Sequence, residues 1–482
     1  MIDLTSAGID FGLIGPETAL LIAASVILLT GYLGRLGRFS PGLSLVGLSV
    51  ALALAAASWG RQGSGFWGMV TNDNFGSAFK VIAAGTSILA QLMAQRWLAV
   101  KGYHRPEFYA LLLLATMGMM VMANTTDLVV LFLGLELMSV PLYVMAGFAK
   151  RSLESNEAGL KYFIMGGFAS AFLLMGIAFV FGAAGTTDLR RIVADFNFIL
   201  SRSDAYMYAG AALILIGFGF KVAAVPFHSW VPDVYQGAPT PVTAFFSVGP
   251  KAAGFAALLR VFVFGFASME ALTDAFWVLA VLTMTVGNVL ALRQSNIKRL
   301  LAYSSIAHAG YILVGLTAGG EDAISSALFY LIAYAFFNLG AFAIVTMLET
   351  RSGGKAEIDE LPGMGRKHPY LAATLALFMF ALSGFPPTVG FFGKFYIFSA
   401  AVKSGFLWLT VIGVMNSFLS VYYYLRLVKG VYFDAAAREF APVTYTPALV
   451  VVLVVTAAGT LGLGFFPQQL LAFSQKALFA FL

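Results

Sequence analysis

The sequence contains no cysteine. Disulfides, thiolate metal sites and cysteine-ligated iron–sulfur clusters are therefore excluded from this chain. Charge is also scarce: 11% of the 482 residues are Asp, Glu, Lys or Arg, against roughly a quarter in soluble domains. No glycine loop of the phosphate-cradling kind and no carboxylate cluster suited to a metal is present. What fills the chain instead is apolar, with 60% of residues hydrophobic. A polytopic membrane protein is expected. The net charge of +6 then reflects basic loops on one side of a bilayer rather than nucleic-acid binding. The first residues carry Asp3 and Asp10 and no basic side chain, unlike a cleavable signal peptide, so the first apolar segment is expected to remain as a helix.

A run of roughly 20 apolar residues crosses a bilayer. Fourteen such spans can be counted, the first near 17–35 and the last near 447–467. Span 7 (205–236) and span 12 (370–402) are long and interrupted, one by Pro226 and Pro232, the other by Gly384, Pro386 and Pro387. Two interrupted spans five apart are the trace of a transporter repeat, and an odd number of helices per copy turns the second copy upside down. The expected fold class is an all-α polytopic membrane protein of about 14 transmembrane helices, with two inverted five-helix repeats that each contain a broken helix. Its parts are 1–105 (three helices), 106–266 (spans 4–8), 267–430 (spans 9–13) and 431–482 (span 14). Lys221 and Lys394, 173 positions apart, and Glu136 and His308, 172 apart, suggest the repeat register. Loops on one side hold seventeen Lys and Arg and the other side seven, with five inside spans. The richer side is expected to be cytoplasmic and both termini to lie outside.

The segment Gly217 to Gly254 draws attention because two lysines, a histidine, an aspartate and five prolines interrupt an apolar setting. A charge at mid-membrane costs several kcal/mol on insertion scales of about 2.5–3.5 kcal/mol, and broken helices persist there only when surrounded by protein or a water-filled cavity. Glu136 falls mid-span in span 5. It is either a neutral, hydrogen-bonded core residue or a functional charge, and the latter is the default for a membrane acid. Lys161 follows Glu157 by one turn, so it is either half of a surface pair with a snorkelling stem or the cross-helix partner of Glu136. Lys221 has about 16 residues of span behind it, roughly 24 Å at 1.5 Å per residue, too deep to snorkel. Lys251 and Lys394 share that argument, whereas Arg260 lies near a span end and is expected to snorkel. His228 and His308 suit either core hydrogen bonding or proton relay; a pair of haem ligands is a weaker reading. Together Glu136, Lys161, Lys221, Lys251, His308 and Lys394 form a row of protonatable groups.

The runs KVAAVPFHSWVPDVYQGAPTPVTAFFS, LEL at Glu136, KYF at Lys161 and LSGFPPTVGFFGKF resemble the antiporter-like subunits of respiratory complex I and of multisubunit sodium/proton antiporters. The likeness covers spans 4 to 13. Within the family the chain is similar to a branch with neither the long lateral helix of subunit L nor the span-12 glutamate of subunit M, and a full set of fourteen spans looks bacterial. The resemblance implies that Glu136 and Lys161 form a gating ion pair and Lys221 is the central carrier. It further implies that Lys251 and His308 relay laterally, Lys394 passes the proton to the exit side, and His228 has a lesser part near the break. It also implies a bacterial inner membrane and no cofactor in this chain. FMN, iron–sulfur clusters and quinone would lie in partner subunits, and subunits M, J and K would be its neighbours. The implied function is proton translocation within NADH:quinone oxidoreductase, driven by quinone reduction elsewhere. Rival readings are a cation/proton antiporter subunit, a structural helix scaffold and a haem-binding electron carrier.

Overall fold

The computed structural model describes residues 10–33, 35–351, 356–435 and 440–479. Asp3, Lys355 and Arg438, used in the charge readings, lie outside them. Apolar runs of sufficient length form single helices in spans 1 (Phe11–Tyr32), 2 (Gly37–Ala57), 3 (Asn74–Lys101), 4 (Pro106–Ala123) and 5 (Leu128–Ala146). Span 6 is Leu153–Ala184, and span 7 is Phe196–Val222 followed by a short half-helix, Trp230–Gly237. Spans 8 to 11 are Thr240–Gly265, Glu270–Ala291, Ile297–Ala318 and Gly320–Thr350. Span 12 consists of two half-helices, Pro369–Ser383 and Val389–Lys403, neither long enough to cross alone. Spans 13 (Leu407–Tyr432) and 14 (Pro447–Phe465) complete the bundle. Among the described residues thirteen helices are long and apolar enough to cross a membrane, and the two half-helices of span 12 make the fourteenth crossing that the hydropathy pattern predicts. Among the described residues sheet is confined to one antiparallel ribbon in the loop after span 2, with Gly63 opposite Asn72 and Gly65 opposite Val70.

The helix ends follow from local chemistry. Asp73, Asp127, Ser152, Asn296 and Thr446 each accept a backbone N–H from the first turn they precede, satisfying donors that a helix start leaves unpaired. The broken spans stop at a left-handed residue, Ala223 in one and Gly384 in the other. Three residues later each broken span carries a cis proline, Pro226 and Pro387. The exposed backbone of the links finds protein partners, as membrane depth demands: Val225 N–H donates to Thr283 Oγ1 of span 9 at 3.0 Å.

The two repeats are visible in matching backbone bonds. Outside span 5, Leu128 N–H donates to Thr187 O and Leu189 N–H to Thr126 O; outside span 10, Ile297 donates to Ala356 O and Ile358 to Ser295 O. Every member of the second set lies 169 residues beyond its counterpart. The first set joins the loops after spans 4 and 6, the second those after spans 9 and 11, which lie at opposite ends of the bundle, so the repeats are inverted. Close packing obeys the same register. A Cβ on Gly118 would stand 2.3 Å from Met138 N, and one on Gly287 2.6 Å from Ala307 N, so spans 4 and 5, like spans 9 and 10, meet backbone to backbone.

This register corrects the one expected from the charges. At a spacing of 169, Glu136 corresponds to Ser305 and Ser139 to His308, so the spacing of 172 is about one turn out. In the broken spans the left-handed residues and cis prolines are 161 apart, because the first half of span 7 is longer than that of span 12. Lys221 and Lys394 are accordingly not equivalent positions.

Spans 8 and 10 sit at the centre, buried along their whole apolar windows, while spans 1, 2, 6 and 14 are exposed over most of theirs. Two basic residues prove to be interior rather than peripheral. Arg260 does not snorkel: it is buried and donates to both oxygens of Asp73, at 2.9 and 3.0 Å, and to Ala123 O at 2.8 Å. Lys80, counted as a loop charge, is buried at 2.8 Å from Glu17. These pairs tie span 3 to span 1 and to span 8.

Candidate functional site

Four of the sequence-predicted groups are brought into the interior of the two repeats. Lys221, at the end of the first half of span 7, donates to Ser139 Oγ at 2.6 Å and more weakly to Tyr143 OH at 3.4 Å. Both acceptors come from span 5, on the face that also carries Glu136 one turn earlier, because residues three and four apart share a helix face. Glu136 is half-buried and accepts a short hydrogen bond from Ser170 Oγ of span 6.

Lys251 in span 8 lies one turn before Gly254, whose Cα faces span 7 at Lys221. Its ammonium donates to Ser305 O at 2.7 Å and to Ser305 Oγ. One turn further along span 10, His308 is held between two tyrosines, Nδ1 at 2.6 Å from Tyr330 OH and Nε2 at 3.1 Å from Tyr424 OH. Tyr424 OH also meets Ser304 Oγ at 2.5 Å. Lys394, on the second half of span 12, reaches back to the break, donating to Ser383 O at 2.9 Å and Ser417 Oγ at 2.8 Å, with its ammonium 4.9 Å from the centre of the Tyr311 ring.

The order is therefore Glu136, Ser139, Lys221, Lys251, Ser305, His308, Lys394, running through spans 5, 7, 8, 10 and 12. Lys221, Lys251 and Lys394 are 5, 2 and 5% exposed. Among the described residues none of the three has an ion-pair partner; hydroxyls and carbonyls surround them. The contrast with Arg260 and Lys80, equally buried but each locked to a carboxylate, separates them from charges that merely hold helices together. An unpaired buried charge is expensive, and buried groups commonly respond by changing protonation state. A chain of such groups, linked by hydroxyls that both donate and accept, can pass a proton.

Two expected residues lie elsewhere. Lys161 is not paired with Glu136: its ammonium is 2.6 Å from Glu157 and 2.7 Å from Asp233, and its side chain is 40% exposed. The reason is distance, since Ser170, which binds Glu136, lies nine residues beyond Lys161 on span 6, about 13 Å along the axis. His228 sits half-buried in the link of span 7 and has no hydrogen bond to Lys221 or Lys251.

Sequence reasoning missed Ser139, Tyr143, Ser305, Tyr330 and Tyr424, the neutral partners. Of these, Ser139 and Tyr143 were findable as the residues three and seven after Glu136. It also missed a polar cavity of about 600 Å³ on the loop side, lined by Lys101, Arg151, Gln236, Lys298, Glu349 and Glu357. There Lys298, placed in a loop by sequence, is buried, donates to Ala238 O at 2.7 Å and lies 3.5 Å from Glu349. A second cavity of about 560 Å³ is apolar and opens beside Lys394, between Phe385, Phe391, Phe395 and Phe418.

A family profile described as "NADH:quinone oxidoreductase/Mrp antiporter, TM" matches residues 125–420, which include every member of the row. The chain belongs to this family. Among curated relatives of this NADH:quinone oxidoreductase/Mrp antiporter chain, the NADH-quinone oxidoreductase subunit N of Trichlorobacter lovleyi is 46% identical over 472 residues, 97% of each chain. Among solved structures, a chain of respiratory complex I from Thermus thermophilus with bound aureothin superposes with a TM-score of 0.81 at 33% identity, covering 95% of this chain and 98% of that one. A chain of the Mrp complex of Dietzia sp. gives a TM-score of 0.82 at 22% identity over 96% of each, a likeness of fold. The fold common to these chains is an all-helical, multi-pass membrane fold.

Proposed function

We propose that this chain is the subunit N component of a bacterial NADH:quinone oxidoreductase and moves protons through the row from Glu136 to Lys394. The observation that carries this reading is the set of three buried lysines with no counter-charge, placed in series on helices of both repeats. In this reading Lys221 is the central carrier, Lys251 and His308 relay through Ser305, Tyr330 and Tyr424, and Lys394 delivers towards the exit side. Glu136 steadies the Lys221 end. The Lys298–Glu349 cavity faces the loops with more Lys and Arg, which makes it the cytoplasmic side, with both termini outside. In this reading FMN, iron–sulfur clusters and quinone belong to partner subunits, and subunits M, J and K are its membrane neighbours.

Coupling is electrostatic in this account. Unit charges about 10 Å apart at an effective dielectric near 20 interact by about 1.7 kcal/mol. Moving one charge against 100 mV requires about 2.3 kcal/mol, so one or two such steps along the row suffice. Isolation of the chain from its native membrane tests the assignment: flavin- and iron–sulfur-containing subunits that release electrons from NADH are expected to co-purify. Recovery with small membrane subunits alone, and no NADH oxidation, would instead make it part of a cation/proton antiporter.

A further inference from the structure

We propose that Glu349 takes up protons from the cytoplasmic cavity and that a file of hydroxyls on span 8 leads from it to Lys251. The proposal rests on the reading above, in which Lys251 belongs to the proton path, and adds the place where protons join that path.

Glu349 lies at the end of span 11, in the wall of the polar cavity of about 600 Å³ that also borders Lys101, Arg151 and Lys298. Its side chain is 15% exposed. Three donors from three other spans surround it. Lys298 Nζ lies 3.5 Å from Oε1, Trp97 Nε1 donates to Oε2 at 3.3 Å, and Thr240 Oγ1 gives Oε2 a short hydrogen bond. Thr240 itself is fully buried. The carboxylate therefore meets the cavity on one side and an interior hydroxyl on the other. Protonated from the cavity, it becomes a donor and can hand the proton inward.

Between residues 240 and 251, span 8 carries four polar side chains, Thr240, Thr243, Ser247 and Lys251, and all four are buried. Steps of three, four and four keep them on one helix face. The rise from Thr240 to Ser247 is about 10 Å, with Thr243 between them, and from Ser247 to Lys251 about 6 Å. Each hydroxyl can donate and accept. Span 11 completes the approach: Asn338 Nδ2 donates to Ser247 Oγ at 2.6 Å, while Asn338 Oδ1 is buried with no donor among the described residues. Buried oxygens of this kind are ordinarily satisfied by an ordered water, and this one stands beside Ser247, one turn short of Lys251.

The repeat register shows that the approach exists at one end only. At the spacing of 169, Asn338 and Glu349 correspond to Ala169 and Val180 of span 6. The inverted copy, whose matching end faces the other side of the membrane, is apolar at both places. The polar approach is thus particular to the cytoplasmic side and to span 11.

The test uses the assembled complex in inverted membrane vesicles, with NADH as electron donor and acidification of the lumen followed by a pH-sensitive dye. Glu349→Gln, Glu349→Asp, Thr240→Val, Thr240→Ser and the double variant Glu349→Gln/Thr240→Val are compared, each normalised to the amount of assembled complex. Glu349→Gln and Thr240→Val are each expected to lower NADH-driven proton transfer about ten-fold. The double variant should fall no further than the worse single one, because the two groups act in series. Glu349→Asp and Thr240→Ser, which keep the carboxylate and the hydroxyl, should stay within about two-fold of the unmodified complex. A wild-type rate for Glu349→Gln, multiplying losses in the double variant, or a Thr240→Ser as poor as Thr240→Val would overturn the proposal. Failure of both Glu349 variants to assemble would do so too, leaving only a structural tie. If Lys221→Ala pumps normally, the proton path itself is wrong; if Lys221→Ala is inactive while Glu349→Gln is normal, only the uptake role falls.

Discussion

Replacing Arg260 by methionine removes the cation that secures the start of span 3 to span 8. In the native chain its guanidinium makes two bonds to Asp73 and one to Ala123 O, and lies 4.9 and 5.2 Å from the ring centres of Phe75 and Phe479. Methionine fills much of the same space but leaves the fully buried Asp73 carboxylate, among the described residues, with only the Gly76 N–H, at 2.6 Å, as a donor. Removing one partner of a buried pair costs about 3–5 kcal/mol, because the remaining charge stays desolvated. Removing both partners costs less, since no uncompensated charge is left. Asp73→Asn/Arg260→Met is therefore expected to recover about 1–3 kcal/mol relative to the sum of its single variants, the usual range for residues in contact. Unfolding of the purified chain in mixed detergent micelles, titrated with sodium dodecyl sulfate, reads these differences. Single variants within about 0.5 kcal/mol of the native chain, or a double variant equal to the sum, would show that the pair does not hold these spans.

Three other expectations follow from the same geometry. Ser139→Ala removes the 2.6 Å acceptor of Lys221; hydrogen bonds to charged groups contribute about 1.5–3 kcal/mol, so NADH-driven proton transfer should fall about ten-fold or more, whereas Tyr143→Phe, which loses only the 3.4 Å contact, should fall much less. His368, in the loop before span 12, is held below the usual histidine range by burial and by the adjacent Lys367 charge. Its Nδ1 lies 3.0 Å from Tyr445 OH and its Nε2 accepts from Val443 N–H. Because the folded form binds the proton less readily than the unfolded one, this contact contributes fully above about pH 6.5 and is lost as pH falls below that value. Hydrogen exchange at the Val443 amide should accelerate on acidification, and His368→Asn should abolish that dependence.

The sequence displayed whatever was costly to bury. Lys221, Lys251, Lys394 and Glu136 stand out because a charge in an apolar span demands a reason, and the prolines of spans 7 and 12 mark the breaks for the same cause. Hydroxyl partners such as Ser139, Ser305 and Tyr424 did not stand out, since serine and tyrosine sit cheaply in many membrane helices. Pairings between distant segments were the hardest to read. Arg260 looked peripheral because Asp73 is 187 residues away in the chain, and Lys80 because Glu17 belongs to span 1. Of the two readings of Lys161, the surface pair with Glu157 is the one found, joined by Asp233, while the rise of span 6 separates Lys161 from Glu136. The repeat was legible as two broken spans, but its register was not, because the first half of span 7 is longer than that of span 12 and shifts the spacing from 169 to 161.

The central claim is that lysines buried without a counter-charge carry protons. Its most direct test is the proton-to-electron ratio of the assembled complex in sealed vesicles carrying Lys221→Ala. The account predicts that proton translocation coupled to NADH oxidation is lost although the complex assembles; an unchanged ratio would contradict it.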